Sequence, residues 1–143
     1  MDNCWIDPNG KCLYVPPEGY YGFVYCVTHI PSGKIYIGKK AFLYKAKRKI
    51  SKKTIKETKT RKRIERVEKD SKWLSYWGSS RELLNDLEEK GIHNFKREIL
   101  CYCSDKASLS YWEAYYQMQY NVMFVDSYNG WIKLTVYKKT LNK

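Results

Sequence analysis

Two short apolar segments separated by a turn constrain the fold of this chain most strongly. The first spans residues 23–28 and the second spans residues 34–37. The residues between them include proline, serine and glycine, which favour chain reversal, so the pattern predicts a β-hairpin. Each segment carries one tyrosine, Tyr25 and Tyr36. The second is followed by Gly38, where a backbone without a Cβ can approach a ligand closely.

The length of 143 residues is usual for one domain. We divide the chain into an N-terminal arm (1–21), a single domain (22–137) and a short tail (138–143). Prolines make the arm irregular, and we expect Trp5, Leu13 and Val15 to attach it to the domain. No apolar run approaches the about 18 residues that span a membrane, and the acidic start lacks the features of a signal peptide. We therefore expect no membrane partner and a cytoplasmic location.

The chain has five scattered cysteines: Cys4, Cys12, Cys26, Cys101 and Cys103. Their odd number and the lack of a secretion signal predict reduced thiols. A structural zinc site needs four ligands at familiar spacing. Because only Cys101 and Cys103 lie close together in the sequence, zinc is disfavoured.

The basic charge is concentrated in one segment. The formal net charge is +12, from 27 Lys and Arg against 15 Asp and Glu, and residues 45–72 hold 14 of the former and 4 of the latter. This segment has too few apolar residues for a core, which predicts a solvated or partly disordered insertion. Its charge favours nucleic acid as the partner, with the segment ordering against phosphates. The expected contacts are Lys47, Lys49, Lys52, Lys53, Arg61, Lys62, Arg63 and Arg66.

The chain after residue 70 has the pattern of a folded domain. Ser79 and Glu82 form a capping box for a helix that ends at Gly91. Phe95–Cys103 has the composition of a third strand, and alternation over residues 131–137 suggests a final one. A second helix is predicted from about residue 105 to residue 120, with Ser104 as its cap. The expected core stripe of this helix comprises Leu109, Trp112, Tyr116 and Tyr120.

Glu113 lies on or beside this stripe, next to Trp112 and three residues before Tyr116. A carboxylate near an apolar face is costly unless something compensates it. One interpretation places Glu113 at the edge of the stripe, where it reaches water or a lysine. The other makes it a ligand of a hard cation such as Mg²⁺, which is commonly held by one or two carboxylates with water and phosphate oxygens.

The two tyrosines, the basic segment and Glu113 together suggest phosphodiester hydrolysis. The unperturbed pKa of tyrosine is about 10, so a tyrosine serves as a base only where cations or a metal ion stabilise its phenolate. A metal ion and a cationic side chain would also neutralise the charge that develops on the phosphate.

The order of these motifs resembles that of the GIY-YIG nucleases. The sequence Phe-Val-Tyr at 23–25, followed by Tyr-Ile-Gly at 36–38, resembles the paired signature of that family. The later order is similar as well, with a helix that ends near Gly91, a strand that ends at Leu100, Glu113 on a helix and Asn129 after a tyrosine. Residues 76–80, followed by residues 94–100, resemble a compact group of phage-encoded members, some of them free-standing homing endonucleases.

The resemblance implies an α/β (α+β) fold, in which helices flank a small central antiparallel sheet of three strands, with the basic insertion after the second strand. It also implies a metal-dependent DNA endonuclease with Mg²⁺ or Mn²⁺ as cofactor and double-stranded DNA as partner. Such a protein would be encoded by a phage or mobile element and act in the cytoplasm of a bacterial host cell. Because one active site cuts one strand, a homodimer would allow a double-strand break.

By the same resemblance, Tyr25 would take part in activating the attacking water, and Tyr36 would assist at the attacked phosphate. Glu113 would hold the metal ion, and Asn129 would brace the site.

The chain departs from the family pattern at two places. Phe23 stands where the first signature has glycine, a position that does no chemistry. The phosphate-binding arginine of the family is expected on a helix after the second strand, where the basic insertion lies. Arg48 is the first choice for this role, followed by Lys40 and Arg81.

That the sequence does not assign this arginine to one position favours an alternative function, a catalytically inactive DNA-binding protein such as a repressor on a GIY-YIG-derived fold. A third hypothesis is RNA binding, because the abundant tyrosines and tryptophans could stack on bases.

Overall fold

The computed structural model describes residues 3–138 and 141, and within them the chain forms seven strands and three helices. In chain order these are β1 (Trp5–Ile6), β2 (Cys12–Leu13), β3 (Gly22–His29), β4 (Ile35–Ala41), β5 (Leu43–Lys49), α1 (Lys52–Thr58), β6 (Ile64–Asp70), α2 (Arg81–Lys90), β7 (Phe95–Cys103) and α3 (Lys106–Gln119). Two 3₁₀ turns, Trp73–Ser75 and Ile92–Asn94, precede α2 and β7. The mixed α+β class expected from the sequence is confirmed.

The main sheet has five strands in the order β2-β1-β7-β3-β4. β3 pairs antiparallel with β4 and β7, whereas β1 runs parallel to β7 and β2 lies antiparallel to β1. The three predicted antiparallel strands are present, but the prediction of a three-stranded sheet is wrong because it omits β1 and β2. Strands of two residues are too short to show an alternating pattern in a sequence.

The N-terminal segment contains a small hairpin and is not an irregular arm throughout. The Asp7 carboxylate closes the turn between β1 and β2 by accepting two backbone N–H groups, at 2.8 and 2.9 Å. Trp5 is fully buried, and its indole N–H donates to the Trp73 carbonyl at 2.7 Å. Leu13 packs against the same core. Val15 is 72% exposed, so its predicted anchoring role is wrong.

Cys4 and Cys12 form a disulfide within this hairpin. Pairing of β1 with β2 places their Cα atoms 5.5 Å apart, a separation that a disulfide can bridge. The prediction that all cysteines are reduced is therefore wrong for this pair. Cys26, Cys101 and Cys103 are free thiols.

The hairpin predicted at the start is present as β3 and β4. The backbone N–H of His29 donates to the Lys34 carbonyl at 2.9 Å, and Gly33, with φ of 76°, provides the positive backbone angle in the turn. Alternate residues of β3 belong to two apolar clusters, one that includes Leu83 of α2 and one that includes Leu109 of α3. A helix therefore covers each face of the sheet.

The basic segment forms a second sheet of two strands. β5 and β6 pair antiparallel along their whole length, and α1 lies at the far end of this hairpin without a buried residue. The segment is solvated as expected, but the prediction of partial disorder is wrong because strand pairing satisfies its backbone. Its root is held where the Ser71 hydroxyl donates to the Ala41 carbonyl at 2.5 Å. We refer to residues 43–70 as the basic hairpin.

The caps of α2 and α3 lie one residue after the predicted ones. Ser80 caps α2 in place of Ser79, and Asp105 caps α3 in place of Ser104. Each pair consists of neighbouring residues that are both suitable N-caps, so the sequence does not decide between them.

The stripe predicted for α3 is only partly correct. Leu109 is buried and Tyr116 is half buried, but Trp112 and Tyr120 are 39% and 44% exposed. The inward face instead includes small and polar side chains, among them the buried Gln117. Aromatic residues at helical spacing therefore do not mark the packed face here.

Residues 131–137 do not form the predicted final strand. Before them, Ser127 makes an isolated bridge to Ile35 of β4. Of the predicted tail, Lys138 and Leu141 are described and the other residues lie outside the described part. Within the described part, no helix has the length and apolar character needed to cross a membrane.

Candidate active site

The outer edge of β4 organises the candidate active site. Because β4 is the last strand of the sheet, alternate backbone groups point away from β3 and need other partners. Asn129 binds both groups of Ile37, since its Oδ1 accepts from the N–H at 2.9 Å and its Nδ2 donates to the carbonyl at 2.8 Å. Gln117 of α3 donates to the same carbonyl at 3.1 Å. This edge therefore brings a loop residue and a helix residue to one point.

Glu113 of α3 binds the next outward-facing amide of this edge. Its carboxylate accepts a hydrogen bond from the backbone of Lys39. The side chain is half buried, and this burial raises the pKa of Glu113, while the charge and the hydrogen bond of Lys39 act in the opposite direction. Both interpretations of Glu113 are compatible with this place, because a lysine is near and the carboxylate also lines the cavity described below.

Tyr25 lies on β3, and its side chain is buried in the core, with the residue 1% exposed. It pairs across the sheet with Gly38, and a Cβ at Gly38 would lie 2.5 Å from the Tyr25 hydroxyl oxygen and 2.9 Å from the Tyr36 ring. A glycine is therefore required because the two tyrosines fill the space of its side chain. Burial, followed by the neighbouring Tyr76 and Tyr36, raises the pKa of Tyr25 well above its ordinary value.

Tyr36 is half buried on the same strand face as Gly38. Its hydroxyl lies 3.0 Å from the Ser79 Oγ. Its ring packs on Gly78, where a Cβ would come within 3.0 Å of the ring and where φ is 114°. Both the contact and the backbone angle therefore require glycine at position 78.

Tyr76 connects the two tyrosines, and the sequence patterns do not identify it as a site residue. The hydroxyls of Tyr25 and Ser79 neighbour its own hydroxyl and act to lower its pKa, and Ser79 lies 3.0 Å from the Tyr36 hydroxyl, so the four hydroxyls follow one another in a chain. The Lys40 ammonium lies 4.1 Å from the centre of the Tyr76 ring. Burial raises the pKa of Tyr76 and lowers that of Lys40. The one sequence signal for Tyr76 is its place in the motif at residues 76–80.

Arg97 of β7 holds the segment that carries Tyr76. It donates to the carbonyls of Leu74 and Tyr76 at 3.0 and 2.7 Å. Its guanidinium lies between Trp5 and Trp77, 4.5 and 4.2 Å from their ring centres. Burial lowers the pKa of Arg97 to about 10, so the side chain is charged at neutral pH. A buried cation within an alternating strand gives no sequence signal, because arginine normally marks the exposed face.

A cavity of about 480 Å³ brings most of these groups together. Its lining includes Tyr36, Ser79, Arg81, Glu113 and Asn129. One strand, two helices and a loop thus contribute a hydroxyl, a guanidinium, a carboxylate and an amide to one space. Tyr25 lies behind this lining and reaches it through the hydroxyl chain.

The geometry favours Arg81 over Arg48 as the cation of this site. Arg48 lies on the basic hairpin, where its Nε is 2.5 Å from Glu65 Oε1, and it is not part of the lining. Lys40 faces the Tyr76 ring and is not part of the lining either. Arg81 begins α2, the first helix of the domain after the basic hairpin, because the insertion shifts that helix along the sequence.

The residues present fit a hard cation held in part by other ligands. Glu113 is the carboxylate of the cavity lining, and the described residues contain no group of three or more His, Cys, Asp or Glu placed to hold a metal. The Asn129 amide oxygen is already bound to Ile37. Mg²⁺ suits such a donor set, because it keeps several waters and is commonly completed by phosphate oxygens.

All eight basic residues expected to contact phosphates are exposed and belong to the basic hairpin. They lie on its strands (Lys47, Lys49, Arg66), on α1 (Lys52, Lys53) and on the loop that returns from it (Arg61, Lys62, Arg63). Lys47 is directly opposite Arg66. Like charges at such a position destabilise a hairpin, and a polyanion would remove their repulsion.

The sequence matches the model of a known family. The model of the GIY-YIG domain of the endonuclease segE matches residues 5–133, which is most of the chain. No curated protein and no solved structure matches the chain significantly.

Proposed function

This chain belongs to the segE endonuclease family of GIY-YIG nucleases, and from that membership we propose that it is an active, divalent-metal-dependent endonuclease that hydrolyses phosphodiester bonds of double-stranded DNA. The observation that carries the proposal is the convergence of Tyr36, Arg81 and Glu113 in one cavity. A nucleophile-positioning hydroxyl, a phosphate-binding cation and a metal-binding carboxylate are what this reaction requires.

In this mechanism the basic hairpin holds the DNA backbone and Arg81 binds the attacked phosphate. The guanidinium provides several N–H donors in a fixed plane, which suits the phosphate oxygens. The Tyr36 hydroxyl positions the attacking water. Glu113 would hold a Mg²⁺ or Mn²⁺ ion, which would supply Lewis-acid stabilisation of the charge on the phosphate.

Tyr25 acts from behind the cavity. Its buried hydroxyl holds that of Tyr76, which in turn orients Ser79 against Tyr36. Asn129 keeps the edge of β4 in place through its two hydrogen bonds to Ile37. Tyr25 and Asn129 are therefore positioning residues in this proposal.

A phage or mobile-element origin, and action inside a bacterial host cell, are supported by the likeness of residues 76–80 and 94–100 to phage-encoded members of the family. These parts of the proposal concern the source of the protein and do not affect the chemistry of the site.

The test is cleavage of supercoiled plasmid DNA with Mg²⁺ by the wild type and by Glu113→Gln. We expect the substitution to lower the cleavage rate about 10²-fold or more, because it removes the anionic ligand while keeping the shape of the side chain. DNA affinity in Ca²⁺ should be unchanged. The matched control is Glu89→Gln, on the exposed part of α2, which should cleave normally. Full activity of Glu113→Gln would exclude the metal assignment.

A DNA-binding repressor on the same fold is the second candidate, favoured by the complete burial of Tyr25 and by the exposed cations of the basic hairpin. It predicts tight binding to a defined duplex without cleavage in Mg²⁺, Mn²⁺ or Ca²⁺. Loss of cleavage in Glu113→Gln would exclude it.

A further inference from the structure

A second cleft lies between the root of the basic hairpin, the segment before β3 and the start of α3. It has a volume of about 860 Å³. Its walls carry three tyrosines and three cations, which define what we call the hairpin cleft: Tyr20, Tyr21, Tyr44, Lys45, Arg66 and Lys106. None of these residues lines the cavity that contains Glu113.

The tyrosines of the hairpin cleft present accessible ring surfaces, and one of these rings is held by a neighbouring ring. Tyr20 is 46% exposed, and its ring packs on Tyr102 with the centres 5.2 Å apart. The backbone of Tyr21 is bound on both sides, to Cys103 at 2.8 Å and to Phe42 at 3.0 Å. Since the Tyr20 ring is already held, a planar ligand that stacks on it would cost little conformational entropy.

The charges of the cleft select an anionic ligand. Its lining includes the carboxylate of Glu68, which lies directly across the hairpin from Lys45. Arg66 and Lys106 remain as excess positive charge. On the same face of the hairpin, Lys47 and Lys49 follow Lys45 toward the tip, because alternate residues of a strand share a face. The cleft therefore continues into the basic surface proposed to hold the DNA backbone.

The cleft also lies at a defined distance from the candidate active site. Tyr36 lines the active-site cavity and Phe42 lines the cleft, and the chain between them runs along β4. Six residues of a strand span about 20 Å. This corresponds to about six nucleotides along one strand of B-form DNA.

We infer that the hairpin cleft binds unpaired nucleotides of the DNA substrate, by stacking their bases on Tyr20 and Tyr44 while Arg66 and Lys106 bind the adjoining phosphates. Aromatic side chains combined with a basic groove are how proteins bind single strands irrespective of sequence. The inference rests on the proposed nuclease function and adds a substrate class to it, DNA with unpaired bases about six nucleotides from the cleaved bond.

The test compares binding of two DNA probes by the full chain in Ca²⁺, which keeps cleavage out of the measurement. One probe is a fully paired duplex, and the other is the same duplex with a three-nucleotide bulge that contains 2-aminopurine. We expect the bulged probe to bind about 10-fold more tightly, since stacking of one base is worth about that factor. The 2-aminopurine fluorescence should be quenched on binding.

Tyr44→Ala should remove this preference, and Tyr44→Phe should keep it because the ring remains. Tyr111→Ala, at a similarly exposed tyrosine of α3, is the matched control and should behave as the wild type. Should Tyr44→Ala fail to fold, Tyr20→Leu tests the opposite wall in the same way.

The inference would be overturned if the wild type bound the two probes with equal affinity. It would also be overturned if Tyr44→Ala lost the same affinity for both probes. Either result would mean that the cleft contacts only the duplex backbone. Binding of unpaired bases is measured without cleavage, so a protein that fails to cut plasmid DNA yet prefers the bulged probe contradicts the proposed function and not the cleft.

Discussion

At the scale of single residues, the candidate site includes a hydroxyl chain in which Tyr76 lies between Tyr25 and Ser79. The chain runs from the buried Tyr25 to the exposed cavity, so in the proposed mechanism Tyr25 would influence the reaction without reaching the substrate. Gly38 permits this arrangement, since any side chain there would meet the Tyr25 hydroxyl. The role of the two signature tyrosines is therefore unequal, with Tyr36 at the cavity and Tyr25 behind it.

Tyr76→Phe tests this chain. The substitution keeps the ring beside Lys40 but removes the hydroxyl, so we expect the cleavage rate to fall about 10-fold or more while DNA affinity stays the same. It also leaves the Tyr25 hydroxyl buried without its partner, which should lower the free energy of unfolding by about 1–3 kcal/mol. Single-turnover cleavage, DNA binding and urea unfolding measure these effects.

The double variant Tyr25→Phe/Tyr76→Phe is the informative control. Because it removes both hydroxyls, it should be more stable than Tyr76→Phe alone and still cleave slowly. If Tyr76→Phe cleaves at the wild-type rate, the hydroxyl chain has no part in the reaction.

At the scale of elements, the loop that carries Asn129 is fastened to α2. The Tyr128 hydroxyl donates to the Asp86 carboxylate at 2.7 Å, and Lys90 lies 3.2 Å from the same oxygen. The Tyr128 hydrogen bond, together with Lys90, lowers the pKa of Asp86. The folded state therefore binds a proton at Asp86 less readily than the unfolded state does.

The lowered pKa of Asp86 predicts that the stability of the protein depends on pH. A carboxylate whose pKa is lowered by folding stabilises the protein above its ordinary pKa of about 3.9, and this stabilisation is lost as pH falls through the folded value. Asp86→Asn should thus be less stable than the wild type at neutral pH, and the difference should shrink below about pH 4. Urea unfolding across pH 2 to 7 measures it, with Glu89→Gln as control. A difference that is constant with pH would contradict the assignment.

The basic hairpin predicts the salt dependence of DNA binding. Each phosphate contact contributes about −0.9 to the slope of log affinity against log salt concentration. Replacing Lys47, Lys49 and Arg66 together by alanine should therefore make this slope about 2.7 less steep. Fluorescence anisotropy between 50 and 300 mM salt is the measurement.

As a control, Lys11, Lys96 and Lys138 can be replaced by alanine in the same way, since they have the same charge and lie outside the basic hairpin. This variant should keep the wild-type slope. Equal slopes in all three proteins would show that the basic hairpin does not bind DNA.

The sequence predicted the elements whose patterns are local. The β3–β4 hairpin, β7 and α2 show alternation, turn residues and caps within a few residues. It missed β1 and β2 because they are short and depend on pairing with β7, far away in the chain. In the basic hairpin, charge on both faces hides the alternation on which strand prediction depends.

The site was predictable to the extent that its residues occur in motifs. Tyr36, Glu113 and Asn129, whose roles the resemblance implies, line one cavity. Arg81 was ranked below Arg48 because a sequence does not show which helix follows the second strand once a hairpin intervenes. Arg97 gave no functional signal, because its effect depends on two backbone carbonyls of another segment.

At the scale of the whole molecule, each chain has one candidate active-site cavity among the described residues and a net charge of +12. Two such chains repel each other in solution. We therefore expect a monomer at low salt, and a plasmid digest in which nicked circles accumulate before linear DNA appears.

Sedimentation without DNA and a time course of plasmid forms check this expectation. Linear DNA that appears at the same time as the nicked form would indicate a dimer in which two cavities cut opposite strands together. In that case the rate should rise with the square of protein concentration.

The edge of β4 has a further consequence for the behaviour of the protein in solution. An open sheet edge is a template on which a strand of another chain can add, and this is a common start of aggregation. Here Asn129, Gln117 and Glu113 occupy the outward-facing backbone groups of that edge. The side chains that shape the cavity therefore also protect the sheet, so that a variant such as Asn129→Ala would lose solubility together with activity.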